Sequence, residues 1–295
     1  MSVRSITRIL PAQATQDGAG VRLLRALGYQ HQVRMDPFLM LDAFSSDDPD
    51  DYIAGFPPHP HRGFETITYI VDGHMRHRDH LGNEGDLKAG GVQWMTAGRG
   101  IIHEEMPQQE NGLLRGFQIW LNLPAAEKMQ PAHYRDIPAA EITTAPLAEG
   151  GFIKLIAGTI PWATCPLEGP GQGALASITQ PLIADICVMA GQTVDIPVPA
   201  THQALLYVFE GQLDGGQQAV PAGHSVWYGP QGDVIRIAPS LDAADGVRAL
   251  LLAGRPLNEP IAQYGPFVMN TQQEIEQALQ DYRHGVLAQP AASSI

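Results

Sequence analysis

The stretch PHPHRGFE at residues 58–65 leads into an alternating run at residues 65–71 (ETITYIV), and a turn signal follows at Gly73. Apolar residues alternating with polar ones over roughly four to eight positions predict a half-buried β-strand. Similar short runs recur at residues 91–95 (GVQWM), 116–121 (GFQIWL), 182–188 (LIADICV), 204–209 (ALLYVF) and 234–237 (VIRI). Because Gly, Pro, Asn or Asp interrupts these runs, the sequence predicts an all-β sandwich or barrel rather than a βαβ fold.

An internal repeat predicts two copies of one β unit. Residues 69–73 (YIVDG) are followed by residues 87–94 (LKAGGVQW), and residues 207–211 (YVFEG) are followed by residues 220–227 (VPAGHSVW). Both halves therefore carry a strand, an acidic-Gly turn, an Ala-Gly turn and a tryptophan strand in the same order. Self-similarity of this kind indicates duplication. The predicted domains are residues 1–136 and residues 137–295.

One helix is predicted near the end of the chain, within the second domain. Residues 271–274 (TQQE) match a capping box, and the apolar residues at positions 275, 278, 279 and 282 follow at helical spacing. Gly285 stands where a C-cap glycine belongs.

Length and charge narrow the class of protein. The chain has 295 residues, enough for about two domains at roughly 150 residues each. Its formal charge of −13 disfavours direct binding to nucleic-acid phosphate or to anionic lipid. With only Cys165 and Cys187, no disulfide framework can organise the fold. The first 30 residues hold no apolar core of a secretory signal and no run is long enough to span a membrane, so we expect a cytoplasmic protein.

Two short pairs of residues predict a metal site. Side chains at positions i and i+2 of an extended segment project from one face, roughly 6.6 Å apart. His59 and His61 can therefore converge on a single ion, and His103 and Glu105 repeat the spacing while Glu104 points the other way. Three imidazoles and one carboxylate suit a divalent first-row transition metal, iron(II) foremost, with open positions for water, O₂ or a chelating substrate.

The residues alone leave two points of this site open. Glu65 lies at even spacing from the first histidine pair and competes with Glu105 as the carboxylate ligand. His74, His77 and His80 recur every three residues, which favours a polar turn and strand start. The alternative is that His77 contacts the site or its substrate.

Three motifs carry a resemblance to a known family. Residues 59–66 (HPHRGFET), 93–107 (QWMTAGRGIIHEEMP) and 265–270 (GPFVMN) resemble the signature of the pirins, a family within the cupin superfamily. The resemblance implies two tandem cupin β-barrels with a C-terminal helix, and one iron(II) ion (Fe²⁺) in the N-terminal barrel, with other divalent transition metals as alternatives. Mapped position by position, it implies the metal ligands His59, His61, His103 and Glu105, and it favours Glu105 over Glu65.

The second half lacks each of these ligands. The repeat sets Pro197 and Pro199 opposite the first histidine pair, and Gln203 opposite the competing carboxylate. It sets Arg236 and Ala238 opposite the second pair. We therefore predict no metal ion in the second barrel.

The resemblance implies two alternative functions. The first is a quercetin (flavonol) 2,3-dioxygenase, which opens a small aromatic substrate with O₂, uses Glu105 as the catalytic proton acceptor, and holds the rings against Phe64 and Met95. The second is a redox-sensitive, iron-dependent regulator that binds a transcription factor or a metabolic enzyme. A monomer is the expected oligomeric state.

Overall fold

The computed structural model describes residues 2–29, 33–109, 111–162, 166–171 and 176–289, so Cys165 lies outside the described residues. Antiparallel strands dominate these residues. Two α-helices accompany them, α1 (Ala176–Thr179) and α2 (Gln272–Arg283). This confirms the prediction of an all-β protein with one substantial helix near the end of the chain. None of the described helices has the length and apolar character needed to cross a bilayer.

The strands are numbered in chain order. The first twelve are β1 (Ile6–Pro11), β2 (Gln13–Asp17), β3 (Val21–Leu27), β4 (Phe38–Ser46), β5 (Phe56–His61), β6 (Phe64–Asp72), β7 (His74–Asp79), β8 (Glu84–Lys88), β9 (Val92–Thr96), β10 (Ile101–Pro107), β11 (Leu114–Asn122) and β12 (His133–Ile137). The others are β13 (Thr143–Pro146), β14 (Phe152–Ala157), β15 (Thr159–Ile160), β16 (Leu167–Glu168), β17 (Leu182–Val188), β18 (Val194–Pro197), β19 (Gln203–Asp214), β20 (Ala219–Pro221), β21 (His224–Tyr228), β22 (Val234–Ile237), β23 (Val247–Gly254), β24 (Ala262–Tyr264) and β25 (Phe267–Met269).

The chain forms two compact units, each built from stretches that are far apart in sequence. The histidine unit comprises Thr15–Leu23, Leu41–Ala139 and the chain from Leu257 onward. The apolar unit comprises the chain up to Ala14, Leu24–Met40 and Ala140–Pro256. The domain limits predicted from the sequence, 1–136 and 137–295, stay a prediction.

The histidine unit contains a four-stranded sheet in the order β5-β10-β7-β8. A second sheet, in the order β12-β9-β6-β11-β4-β3-β2, carries the long buried strand β6. Strict alternation along β10 sends Ile101, His103 and Glu105 inward. Apolar side chains from several strands, among them Phe44 and Ile70, pack into a core within this unit.

The apolar unit is filled by aliphatic side chains. Its main sheet has the order β1-β21-β19-β23-β17-β14-β13, with β20 beside β19, and β18 pairs with β22. On these two paired strands Ile196 and Ile235 are fully buried, whereas Asp195 and Arg236 form an exposed ion pair at 2.8 Å. Arg236, the residue that the repeat sets opposite a predicted ligand, therefore points to solvent. The absence of a metal from this unit stays a prediction.

Helix α2 begins at the capping box that the sequence predicts. The Thr271 hydroxyl accepts a hydrogen bond from the Glu274 backbone N–H at 3.2 Å, and the Glu274 carboxylate accepts one from the Thr271 N–H at 2.8 Å. Ile275 and Ala278 are buried against the hairpin β24–β25 and its neighbours. Gly285 follows the helix with φ +69°, the left-handed conformation that favours glycine. Both predicted ends of the helix are confirmed.

Replacing Thr271 by alanine removes the acceptor for the Glu274 N–H at the first turn of α2. We expect Thr271→Ala to lower the free energy of unfolding by about 1 kcal/mol, the usual cost of losing an N-cap side chain. Urea unfolding monitored by circular dichroism measures this change. Thr271→Ser, which keeps the hydroxyl, is the control, and equal stability of the two variants would contradict the capping role.

Candidate metal centre

The predicted ligands lie on the neighbouring strands β5 and β10, and β7 pairs with the other edge of β10. In the pairing of β10 with β5, His103 lies directly opposite His59. In the pairing of β10 with β7, Glu105 lies directly opposite His77. Side chains opposite each other on adjacent strands are separated by only about 4.5–5.5 Å at Cβ. The strand register therefore concentrates imidazoles and one carboxylate on one inner surface.

The predicted residues fall into two overlapping groups. His59, His61 and His103 offer one nitrogen each, and these nitrogens lie within 4.8 Å of one another. Their ring centroids are 4.4–4.8 Å apart. Glu105 joins His103 in a second group, together with His77, within the same limit. His103 is thus common to both groups, whereas Glu105 shares a group with His103 and His77 but not with His59 and His61.

The protonation of the histidines fits a bound cation. His59 Nδ1 lies 2.8 Å from the carbonyl oxygen of Pro57, which fixes the hydrogen on Nδ1 and leaves a lone pair on Nε2. Both ring nitrogens of His61 and Nε2 of His103 are buried without a hydrogen-bond partner. Burial, reinforced by the neighbouring histidines, holds the pKa of His61 and of His103 well below the usual value. Neutral imidazoles with free lone pairs are the form that binds a transition metal.

Two polar side chains orient the carboxylate of Glu105. The Thr68 hydroxyl donates to Oε1 at 2.9 Å, and the Gln118 amide lies 3.5 Å from Oε2. The competing carboxylate, Glu65, is buried elsewhere and accepts a hydrogen bond from the Thr96 hydroxyl at 2.6 Å. Among the described residues, Glu65 belongs to neither potential metal-binding group.

Sequence reasoning gave His77 only a minor place, but the structure sets it beside the predicted ligands. His77 is 2% exposed and lies on β7, where it alternates inward with Met75. Its ring stands 4.9 Å from that of His103 and 5.1 Å from that of Tyr134. The three-residue spacing of His74, His77 and His80 did not indicate this position. Side chains alternate between the two faces of a strand, and this alternation decides which histidine faces inward.

Aromatic side chains form an apolar wall behind His61. Phe64 lies 5.2 Å from the His61 ring, Trp120 lies 5.5 Å from it, and the two aromatic rings are 4.4 Å apart. Phe64 and Met95, the ring-binding residues expected from the sequence, are fully buried. The sequence did not single out Trp120. This wall keeps water from one side of the histidine cluster.

The residue that follows the last histidine of β5 is anchored to the C-terminal segment. The Arg62 guanidinium is 2.7 Å from the Asp281 carboxylate on α2, donates to the Leu287 carbonyl at 3.1 Å, and also reaches the Arg99 carbonyl. The Arg62 carbonyl accepts from the Val268 N–H at 3.0 Å. Charge-assisted hydrogen bonds of a buried guanidinium are strong and directional. They hold the end of the histidine strand against β25 and α2.

Lys128 also stabilises the end of this histidine strand. Its ammonium donates to the Gly63 carbonyl and to Asn122 Oδ1, both at 2.6 Å, and to the Val268 carbonyl at 3.0 Å. Three acceptors match the three N–H bonds of the charged form. Burial lowers the pKa of Lys128 to about 7. At Gly63, where φ is +90°, a Cβ would overlap the Val268 carbonyl, so only glycine fits this turn.

Comparisons with known proteins place the chain in a family. Its sequence matches the family models Pirin over residues 20–121 and Pirin C-terminal cupin domain over residues 183–288. The chain belongs to the pirin family. The predicted fold of two tandem cupin domains is thereby confirmed.

Individual pirin relatives match almost the whole chain. A Pseudomonas aeruginosa protein named "Putative quercetin 2,3-dioxygenase" is 49% identical over 97% of this chain and 98% of its own. Mouse pirin is 35% identical over 96% of this chain and 93% of its own. The crystal structure of a quercetin 2,3-dioxygenase from Acinetobacter baumannii is 31% identical and superposes with a TM-score of 0.86, covering 97% of this chain and 99% of the other.

Replacing Lys128 by methionine tests whether burial lowers the pKa of this lysine in the folded pirin. Between its folded-state pKa of about 7 and the unfolded value of about 10.4, the unfolded chain binds more protons, so the Lys128 contribution to stability increases as the pH rises. We expect the free energy of unfolding of the wild type, relative to that of Lys128→Met, to increase with pH across this interval. The increase is at most about 1.4 kcal/mol per pH unit. Urea unfolding at several pH values measures it.

The matched control is Lys88→Met, because Lys88 is an exposed lysine of the same unit. Its stability difference from wild type measures, over the same pH interval, the effect of removing an exposed lysine. A difference for Lys128→Met that follows the control across the interval would contradict the lowered pKa of Lys128.

Proposed function

We propose that this pirin binds one divalent transition metal ion, iron(II) foremost, through His59, His61, His103 and Glu105, and that it opens flavonols such as quercetin with O₂. The observation that carries the proposal is the set of buried, unpartnered imidazole nitrogens gathered beside one buried carboxylate. Relatives that cover nearly the whole chain are named quercetin 2,3-dioxygenases, which supports this substrate class. A bound iron(II) ion would supply Lewis acidity and open coordination positions for substrate and O₂.

The residues of the chain divide the work as follows. The three imidazoles would hold the ion through ring-nitrogen lone pairs, and the hydrogen bond of His59 to the Pro57 carbonyl sets its ring orientation. Glu105 accepts the proton of the flavonol 3-hydroxyl, because it is the carboxylate of the cluster and its two oxygens are oriented by Thr68 and Gln118. The wall that includes Phe64 excludes water from one side of the histidine cluster.

The remaining expectations stay predictions. They are a redox-sensitive regulatory role with a protein partner, a monomeric state, a cytoplasmic location and a second barrel without metal.

Removing one histidine should abolish both metal binding and turnover. We expect anaerobically purified wild type to carry about one iron per chain after ferrous reconstitution, and His103→Ala to carry almost none, because His103 belongs to both ligand groups. Elemental analysis measures the metal. Loss of the quercetin absorption band under air measures the reaction, which we expect only for the wild type.

The control is His133→Ala, because His133 is an exposed histidine of the same unit that belongs to neither ligand group. It should keep both iron and turnover. Iron bound at one equivalent without any loss of the quercetin band would refute the flavonol assignment while preserving the metal site. No bound metal in the reconstituted wild type would refute both.

A further inference from the structure

His77 and His103 share a hydrogen bond within the buried cluster. Their Nδ1 atoms are 3.2 Å apart, and the Nε2 atom of each ring is buried without a partner. A hydrogen bond between two ring nitrogens needs one nitrogen that carries the hydrogen and one that offers a lone pair. One Nδ1 must therefore donate and the other must accept.

The two directions of this hydrogen bond have opposite consequences for metal binding. If His77 Nδ1 donates, the single hydrogen of His103 sits on Nε2, and that atom has no lone pair for a cation. If His103 Nδ1 donates, its Nε2, which is buried without a hydrogen-bond partner, carries the lone pair. Only the second direction makes His103 a ligand through Nε2.

We propose that His77 is a positioning residue that accepts the Nδ1–H of His103 and thereby fixes the tautomer and ring orientation in which His103 Nε2 binds the metal. This role rests on the proposed metal site. A hydrogen bond to the outer nitrogen of a ligating histidine raises its basicity and restrains its ring.

The surroundings of His77 restrain it in this position. The strand pairing sets His77 opposite Glu105, and the adjacent Tyr134 ring lies 5.1 Å from the imidazole. The carboxylates of Asp79 and Asp136 are also near enough to act electrostatically on it. His77 thus contacts the Nδ1 edge of the His103 ring, and Nε2 of that ring stays without a hydrogen-bond partner.

The direct test uses the metal-free protein. Long-range proton–nitrogen NMR of ¹⁵N-labelled histidine rings reports which nitrogen carries the hydrogen. We expect His103 protonated at Nδ1 and His77 protonated at Nε2 in the wild type. Protonation of His103 at Nε2 would overturn the proposal. Because no metal or substrate is present, this result does not depend on whether the protein opens flavonols.

Two variants of similar size extend the test. His77→Asn keeps an acceptor near the position of Nδ1, whereas His77→Leu removes it. We expect His77→Leu to lose the Nδ1–H preference of His103 and to weaken zinc binding, measured by chelator competition, by about 10–100-fold. His77→Asn should retain the tautomer and most of the affinity, with circular dichroism confirming that both variants fold.

Two outcomes would refute the positioning role. The first is equal loss of zinc affinity in both variants with the His103 tautomer unchanged, which would make His77 a direct ligand. The second is unchanged affinity and tautomer in His77→Leu, which would make the contact irrelevant to the site.

Discussion

The site depends on burying several imidazoles side by side in a β-barrel interior. A buried nitrogen without a hydrogen-bond partner costs about 1–3 kcal/mol, and His61 alone has two. The strand register of β5, β10 and β7 nevertheless holds these side chains together, because the hydrogen bonds between the strands and the apolar packing of the unit carry the fold. A bound cation would offset part of this cost, because it would accept a ring lone pair that no donor of the cluster satisfies.

The anchoring of the histidine strand explains residues that take no part in the chemistry. Arg62 and Gly63 directly follow the last histidine of β5, and both are committed to the C-terminal segment. Lys128 joins the same corner through three acceptors. The part of the chain that begins at Leu257 therefore supports a strand roughly 200 residues earlier, and the positions of the predicted ligands depend on contacts between distant parts of the chain.

Features that depend on only a few consecutive residues could be predicted from the sequence. The i, i+2 pairs, the capping box at Thr271 and the glycine after α2 each depend on a few consecutive residues, and the structure places them as the sequence indicates. His77 and Trp120 reach the site through strand pairing, which no local pattern contains. The repeat alignment likewise paired Arg236 with a ligand position, but side-chain direction along β22 sends it to solvent.

The two units differ in the side chains that an antiparallel strand pair turns inward. In the apolar unit, the pair β18–β22 turns aliphatic side chains such as Ile196 and Ile235 inward, where they join a continuous hydrophobic core. In the histidine unit, the pair β5–β10 brings His59 and His103 together. Burial of aliphatic side chains stabilises the folded unit, whereas burial of imidazole nitrogens without hydrogen-bond partners destabilises it. Ligand binding would offset the loss of stability in the histidine unit, so the contrast between the units supports placing the proposed chemistry there.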